Sequence, residues 1–335
     1  MSSGRTRRRI QLTVSIILAV LVTAGLAVLA VMWKESRLPM IYPYDEQNIG
    51  YVDTAQTVIY ADAAFAQDLC IGPNEVGTDR VDIEKGAHAG LFSVEEREVV
   101  YAKGMHEQIY PASVTKLMTA IVVLKNGNLN DIVTVAWQDL ELEEGSQVVG
   151  LRIGDKISVE ALMYGLLVHS GNDAAMALAR HVGGTMENFV EMMNEEAQRI
   201  GATQTHFVNP SGLHDNDHYT TVYDIYLMLR EAIRYDFFVN AMQITVYDLM
   251  YHNENGDEKH VTLDSTDLYL TGQQKPPKDV TVLGGKTGTT IEAGSCLAIV
   301  AQNAFGQPYI AIVMGEVNKD CLYKDMNALL GIINA

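Results

Sequence analysis

Hydrophobic and polar positions divide this chain into an apolar N-terminal stretch, an irregular stretch and a long patterned region. Residues 10–33 are almost wholly apolar and are interrupted only by mild residues such as Gln11 and Thr23. At about 1.5 Å per residue, a helix of this length spans about 36 Å, enough to cross a hydrocarbon core of about 30 Å. The pattern therefore predicts one transmembrane helix.

The charges around this span predict its orientation. Residues 1–9 contain Arg5 and Arg7 to Arg9 and no acidic residue, which favours a cytoplasmic N-terminal tail and an extracytoplasmic remainder. A cleaved signal peptide is the alternative, because Val28-Leu29-Ala30 offers a small-residue cleavage site. Signal peptides usually have a shorter apolar region, of about 7–15 residues. We therefore expect an uncleaved, single-pass anchor in the cell membrane.

Residues 34–87 mix Pro, Gly, Asp and Asn with short apolar pieces and show no sustained period. We interpret them as a linker or stalk that packs in part on the following domain. From residue 88 onward the alternation of apolar and polar positions becomes regular. Residues 88–335 are long enough for one domain with a sizeable core.

The first half of this domain predicts a hairpin followed by helices. Strands are expected over 89–93 and 99–102, around a polar turn at 95–97. A helix is expected over 113–125, with Pro111 ahead of its first turn and Gly127 beyond its end. A short strand is expected over 133–135. Helical spacing recurs over 159–168, 174–182, 186–200 and 221–233.

The second half turns to strands. Residues 280–287, 295–302 and 309–315 predict an antiparallel meander, and residues 326–333 predict a closing helix. Strands at both ends of the domain, with helices between them, indicate one sheet assembled from both ends. The expected fold class is α/β: an antiparallel sheet flanked by helices, with an all-α lobe.

Charge and cysteine content exclude some functions. The formal net charge is -18, which repels nucleic acid, so we expect no nucleic-acid partner. Cys70, Cys296 and Cys321 form no C-x-x-C pair, so a zinc knuckle or a thioredoxin-type motif is absent from the sequence. At most one disulfide is possible, and buried thiols without a role are the simpler interpretation.

The candidate chemistry begins with Ser113 and Lys116. Three residues apart on a helix, they lie on one face, so the lysine amine can activate the hydroxyl as a nucleophile. At a helix N-terminus the backbone N–H groups also favour a developing oxyanion. Alone, Ser113 is as well explained by a helix cap and Lys116 by a solvated lysine. The apolar run over 117–123 instead predicts a buried helix.

Lys116 can act as a base only if burial or a second cation lowers its pKa, and Lys286 is the candidate cation. Ser170 and Asn172 lie on a tight loop between two predicted helices, where Asn172 or Asp173 can cap the second helix. There a hydroxyl can relay a proton to a leaving amine, and an amide can hold a substrate amide. An ordinary Ser-Gly-Asn turn is the alternative.

The last cluster is Lys286-Thr287-Gly288-Thr289, on a predicted strand. The lysine and the two hydroxyls of Thr287 and Thr289 make a suitable carboxylate site. Gly288 allows a ligand backbone to approach closely, as an added strand would.

These three clusters, in this order, resemble the signature of penicillin-binding proteins, with Ser-Gly-Asn in place of Ser-Asp-Asn. With Tyr110-Pro111-Ala112 before Ser113, and with the stretches 206–213 and 218–221, the chain resembles the D-alanyl-D-alanine carboxypeptidases. These are the low-molecular-mass penicillin-binding proteins of peptidase family S11. The resemblance covers about 89–314 and implies a β-lactamase/transpeptidase-like fold.

The resemblance also implies a reaction. Ser113 would form an acyl-enzyme with a peptidoglycan stem peptide ending in D-Ala-D-Ala, and β-lactams would acylate the same serine. Lys116 would take the serine proton, and Ser170 would assist the leaving amine. Lys286 and Thr287 would bind the terminal carboxylate, and the N–H groups of Ser113 and Thr289 would form an oxyanion hole. Water would deacylate the enzyme, so no cofactor or metal is expected. Many family members use a C-terminal amphipathic anchor, whose place we expect the N-terminal span to take.

Three alternatives remain open. A β-lactamase would need a deacylating carboxylate, and no Glu-x-x-Leu-Asn follows Ser170. A penicillin receptor or scaffold that binds without turnover would need an effector, for which residues 1–9 are too few. A zinc site is conceivable because His and Asp are its usual ligands. Its candidate ligands are His206, His214, Asp215, Asp217 and His218. The resemblance assigns this segment a structural role beside the site.

Overall fold

The computed structural model describes residues 68–334. In chain order its strands are β1 (His88–Ser93), β2 (Glu98–Lys103), β3 (Ile132–Thr134), β4 (Lys156–Ser158), β5 (Val246–His252), β6 (Glu258–Asp264), β7 (Thr281–Thr290), β8 (Gly294–Gln302) and β9 (Pro308–Glu316). Its α-helices are α1 (Lys116–Asn126), α2 (Val159–Leu167), α3 (Asn172–Gly183), α4 (Met186–Ile200), α5 (Val222–Ala232), α6 (Asp236–Ala241) and α7 (Lys319–Leu330). A 3₁₀ turn over Ala112–Thr115 leads into α1.

The main sheet joins the two ends of the described chain. Its strand order is β2-β1-β9-β8-β7, and β1 pairs antiparallel with β9, with Leu91 opposite Ala311. The predicted meander of β7, β8 and β9 is confirmed, and so is the single sheet built from both ends. Strand β7 lies at an edge of this sheet, so one side of its backbone faces away from the other strands.

Helices cover both faces of the main sheet. On one face α7 packs over an apolar cluster that includes Leu91, Ile299, Val313 and Met326. On the other face α5 contacts β1, β8 and β9. There the rings of Phe92 and Tyr226 stack with their centroids 4.2 Å apart. Burying both faces removes large apolar surfaces from water, which is the main source of stability for such a layered fold.

Helix α1 is the central helix of the lobe beside this sheet. Every residue from Lys116 through Val123 is buried, and α1 contacts α2, α3, α4 and α5. The apolar run in the sequence predicted a buried helix, and this prediction is confirmed. The helix thus carries a lysine into the interior of the protein at its first residue.

We expected an all-α lobe, and this prediction is wrong. The lobe also carries a second antiparallel sheet with the strand order β3-β4-β5-β6. The sequence signal for β5 and β6 is weak because only Leu249, Tyr251 and Leu263 are buried in them. The closing helix was predicted over 326–333, but α7 already begins at Lys319. There the Asn318 side chain caps it by accepting the Cys321 N–H. The first turn of α7 is polar, so the apolar pattern of the sequence did not indicate where this helix begins.

Part of the expected stalk is described. Val81, Ile83 and Ala87 are buried against the main sheet, and Val76 bridges to Ala102 on β2. The tail predicted over 1–9 and the span predicted over 10–33 lie outside the described residues. Across residues 68–334 no helix combines the length and apolarity needed to cross a membrane.

Gly284 offers a test of how tightly β7 is held. A Cβ at Gly284 would lie 1.9 Å from the Met242 carbonyl oxygen, whereas Gly306 has open space, and both residues have positive φ. Alanine at positive φ costs about 1–2 kcal/mol. We expect Gly306→Ala to lower the free energy of unfolding by that amount, and Gly284→Ala to lower it by about 3 kcal/mol or more because of the added backbone clash. Urea unfolding measures both, and equal losses would show that β7 shifts without strain.

Candidate active site

Ser113 stands half-buried in the 3₁₀ turn that precedes α1. The preceding Ala112 has a φ of 47°, a conformation that non-glycine residues rarely adopt. Gly212 packs against it so closely that a Cβ at Gly212 would lie 1.9 Å from the Ala112 carbonyl oxygen. The glycine in the Asn-Pro-Ser-Gly loop therefore permits the strained turn that presents Ser113.

The Lys116 amine contacts the Ser113 hydroxyl. Its Nζ lies 2.8 Å from Ser113 Oγ, 2.7 Å from Asn172 Oδ1 and 2.7 Å from the Ser211 carbonyl oxygen. The lysine is 0% exposed. The predicted pair is thus within hydrogen-bond distance, and a third motif residue, Asn172, holds the amine from the other side.

Burial is the main reason that the pKa of Lys116 lies well below its ordinary value. The positive charge of Lys286 lowers this pKa further, and Asp173 acts in the opposite direction. An amine with a lowered pKa is neutral at moderate pH, which is the form that can accept a proton. Lys286 thus acts on Lys116 in the direction expected of a second cation.

Ser170 and Lys286 form a second serine–lysine pair. Lys286 Nζ lies 2.8 Å from Ser170 Oγ and 2.8 Å from the Thr287 carbonyl oxygen. Ser170 has a φ of 64°, in the left-handed region that non-glycine residues rarely adopt. Burial lowers the pKa of Lys286 to about 7, while Asp267 raises it. The strand and the loop between α2 and α3 thus meet through one hydrogen bond.

Strand β7 runs beside the nucleophile. Gly288 lies so near that a Cβ there would be 2.9 Å from the Ser113 backbone nitrogen. Thr289, whose N–H was expected to complete an oxyanion hole with that of Ser113, is the next residue along the strand. Thr287 Oγ1 is 2.6 Å from Thr266 Oγ1. The Lys-Thr-Gly-Thr cluster therefore passes the nucleophile at Gly288, with Thr287 and Thr289 on either side of that point.

Asn172 and Asp173 have other roles than the helix cap proposed for one of them. Helix α3 begins at Asn172 with Gly171 as its N-cap and without a side-chain cap. The Asn172 carboxamide oxygen accepts from Lys116, so a substrate amide can meet only its NH₂ group. Asp173 accepts the N–H groups of a neighbouring loop, namely those of Val149, Gly150 and Leu151.

Several residues of the site had no assigned role at the sequence level. Ser211 and Gly212 lie in a stretch that carried the family resemblance, and their Asn-Pro-Ser-Gly sequence is a turn signal. Thr266 and Asp267 belong to no motif, so nothing in the sequence pointed to them. Their contacts arise only where distant segments meet.

The histidine segment is divided among separate contacts. His218 Nε2 lies 2.8 Å from Thr115 Oγ1, and its Nδ1 accepts the Val208 N–H. His206 Nδ1 bonds the Asp217 carbonyl oxygen instead. Within residues 68–334 no group of three His, Cys, Asp or Glu side chains is arranged to hold a metal ion. The cysteines at 70, 296 and 321 are free thiols.

His218 predicts a loss of stability in acid. Burial lowers its pKa from 6.5 to about 4, so the unfolded chain binds a proton in that window and the folded chain does not. Stability should therefore fall as pH drops from about 6.5 to about 4, by about 2–3 kcal/mol from this group. His218→Gln, which keeps an N–H donor towards Thr115, should flatten that dependence in urea unfolding. The control is His260→Gln in the exposed β5–β6 hairpin, and a similar flattening there would contradict the assignment.

Comparison with known proteins agrees with this geometry. The sequence model of the family described as D-alanyl-D-alanine carboxypeptidase, Peptidase S11, matches residues 81–318. The D-alanyl-D-alanine carboxypeptidase DacF of Bacillus subtilis is 31% identical over 68% of this chain and 56% of its own length. DacD of Escherichia coli, with the same enzyme name, is 34% identical over 68% of this chain and 58% of its own length. The chain thus spans a little over half the length of these relatives.

The fold also matches a solved structure. The crystal structure of the Streptomyces K15 DD-transpeptidase superposes with a TM-score of 0.67 and 26% sequence identity, over 78% of this chain and 97% of that one. The α/β fold of antiparallel sheets and helices is therefore transpeptidase-like. With this fold, and with the family match over most of its length, the chain belongs to the D-alanyl-D-alanine carboxypeptidase family, peptidase S11.

Proposed function

We propose that the protein is a serine-type D-Ala-D-Ala carboxypeptidase that removes the terminal D-alanine from peptidoglycan stem peptides. The observation that carries this proposal is the 2.8 Å contact between Lys116 Nζ and Ser113 Oγ, at a position where the amine is fully buried. The family and the names of the relatives support the choice of substrate. β-Lactams, which end in a comparable carboxylate, are the expected inhibitors.

Acylation begins with a proton transfer. The neutral Lys116 amine takes the Ser113 proton while Oγ attacks the carbonyl carbon of the penultimate D-alanine. The carbonyl oxygen becomes an oxyanion between the N–H groups of Ser113 and Thr289, where fixed donors stabilise it. The proton then passes to the nitrogen of the last D-alanine as the peptide bond breaks. The products are free D-alanine and an ester on Ser113.

Ser170 and Lys286 serve the leaving group. Ser170 Oγ accepts from Lys286 and can relay the proton, giving its own to the departing amine as it receives the one that Lys116 took from Ser113. Lys286 supplies positive charge, and Thr287 supplies a hydroxyl, for the terminal carboxylate of the substrate. In deacylation a water molecule attacks the ester and gives a proton back to Ser113 Oγ. None of these steps calls for a metal or an organic cofactor.

Benzylpenicillin labelling tests the nucleophile and the base. Intact-mass spectrometry should find one penicilloyl adduct, peptide mapping should place it on Ser113, and Ser113→Ala should abolish it. Lys116→Arg keeps the positive charge but cannot give up its proton, so acylation should slow by about 10²–10⁴-fold.

Lys125→Arg is the matched control for the base. Lys125 lies on the same helix, where it pairs with Glu196 at 2.6 Å, and its substitution should leave acylation unchanged. An adduct that persists in Ser113→Ala, or native acylation in Lys116→Arg, would refute the proposed roles.

Turnover assays separate the enzyme classes. Release of D-alanine from a pentapeptide ending in D-Ala-D-Ala, with slow turnover of nitrocefin, is the expected result. Rapid nitrocefin hydrolysis without D-alanine release would identify a β-lactamase. A stable adduct with no turnover of either compound would identify a penicillin receptor or scaffold.

We also propose that the chain is a single-pass protein of the cell membrane with its catalytic domain outside the cytoplasm. The support is the apolar stretch over 10–33, which follows the arginines of residues 1–9. The full chain should remain in the membrane pellet after alkaline carbonate washing, and external protease should digest its domain. Deletion of residues 1–33 should release it, and a full chain found in the soluble fraction would contradict the proposal.

A further inference from the structure

A buried carboxylate lies in the connection between β6 and β7 without a place in the mechanism. Asp267 is 3% exposed. Its Oδ1 accepts the Tyr269 N–H at 2.9 Å and the Tyr323 hydroxyl at 3.3 Å. Its Oδ2 has no hydrogen-bond partner among residues 68–334. A buried carboxylate with an unsatisfied oxygen is unfavourable unless a nearby positive charge compensates it.

Lys286, on the neighbouring strand β7, is the cation whose charge acts on Asp267. The charge of Lys286 lowers the pKa of Asp267, although burial raises it overall, and Asp267 in turn raises the pKa of Lys286 against the effect of burial. The other titratable side chains around this pair are Lys116, on α1, and Tyr269 and Tyr323, which face Asp267. Neither tyrosine carries a charge at neutral pH.

The segment that carries Asp267 is firmly held on both sides. Thr266 Oγ1 contacts Thr287 Oγ1 at 2.6 Å, so the segment packs against β7 at the residue next to Lys286. On the other side, the Leu268 N–H donates to the Tyr323 hydroxyl at 2.8 Å. The segment is thus a fixed support between α7 and the Lys-Thr-Gly-Thr strand.

We propose that Asp267 is a positioning residue whose carboxylate keeps Lys286 charged beside Ser170, and so sets the pH range in which the cleft accepts an anionic peptide C-terminus. The inference rests on the proposed carboxypeptidase function. Asp267 touches neither substrate nor nucleophile. It acts through Lys286, whose pKa of about 7 makes its charge sensitive to any nearby group at working pH.

The direct test follows the ionisation of Lys286 without any turnover. Lysine Cε resonances of ¹³C-labelled full-length protein are titrated by NMR, and the Lys286 signal is assigned from its absence in Lys286→Arg. The midpoint should lie near pH 7 in the wild type and about one pH unit lower in Asp267→Asn. Asn keeps the oxygen that accepts the Tyr269 N–H, so the fold should persist. Asp267→Glu should restore a midpoint near that of the wild type.

Kinetics give the second measurement. With Lys286 charged less often, kcat/KM for a D-Ala-D-Ala peptide should fall about five- to tenfold between pH 7 and pH 8, and only about twofold at pH 6. The loss should appear mainly in KM, because the group affected binds the carboxylate. The alkaline limb of the profile should shift by the same one unit or so as the NMR midpoint.

Tyr323→Phe is the matched control for a merely structural role. It removes a hydroxyl that contacts Asp267 and Leu268 but leaves the carboxylate in place. The Lys286 midpoint and the alkaline limb should stay where they are in the wild type. If Asp267→Asn does not fold, Asp267→Ser serves as the second neutral variant in the same titration.

The outcomes separate this inference from the proposed function. D-alanine release by the wild type, together with an unmoved Lys286 midpoint in the neutral variants, overturns the inference alone. A shift of similar size in Tyr323→Phe overturns it as well. Absence of D-alanine release overturns the carboxypeptidase proposal, and the titration then still decides whether Asp267 keeps Lys286 charged.

Discussion

The chemistry of this site depends on the free energy needed to keep a charge on a buried amine. Lys116 is fully buried, and its hydrogen-bond partners in the described chain are neutral oxygens of Ser113, Asn172 and Ser211. Neutral acceptors orient an ammonium but do not replace the hydration that it loses, so the proton is held weakly. Lys286 weakens it further by repulsion. The same burial therefore holds the amine beside Ser113 and favours its neutral form, which is the form that can accept a proton.

The surrounding fold makes that burial possible. Helix α1 contacts four other helices, and the Asn-Pro-Ser-Gly loop covers the amine of the lysine at its start. The nucleophile stays half-buried on the turn before the helix, where the positive φ at Ala112 is accommodated by Gly212. Strand β7 completes the cleft because Gly288 has no side chain to hold it away from Ser113. Ala112, Gly212 and Gly288 therefore shape the backbone around the nucleophile and take no part in the reaction themselves.

The two lysines, whose pKa values burial lowers first of all, also differ in the carboxylates that lie near them. Asp173 accepts backbone N–H groups at both oxygens, including those of Val149 and Leu151, so its negative charge is already compensated before it meets Lys116. Asp267 has one oxygen without a hydrogen-bond partner in the described chain, so more of its charge is available to Lys286. This contrast suits one amine to lose its proton and the other to keep it.

The main sheet, the buried helix and the order of the catalytic clusters could all be predicted from the amino-acid sequence. Apolar periodicity is local, and the spacing of Ser113 and Lys116 on a helix fixes which face they share. The second sheet was missed because β5 and β6 bury few side chains. Packing alone brought the Ser211 carbonyl oxygen to the Lys116 amine and the segment of Thr266 and Asp267 to strand β7. Such contacts join segments far apart in the chain, and the burial that shifts a pKa exists only once those segments have packed together.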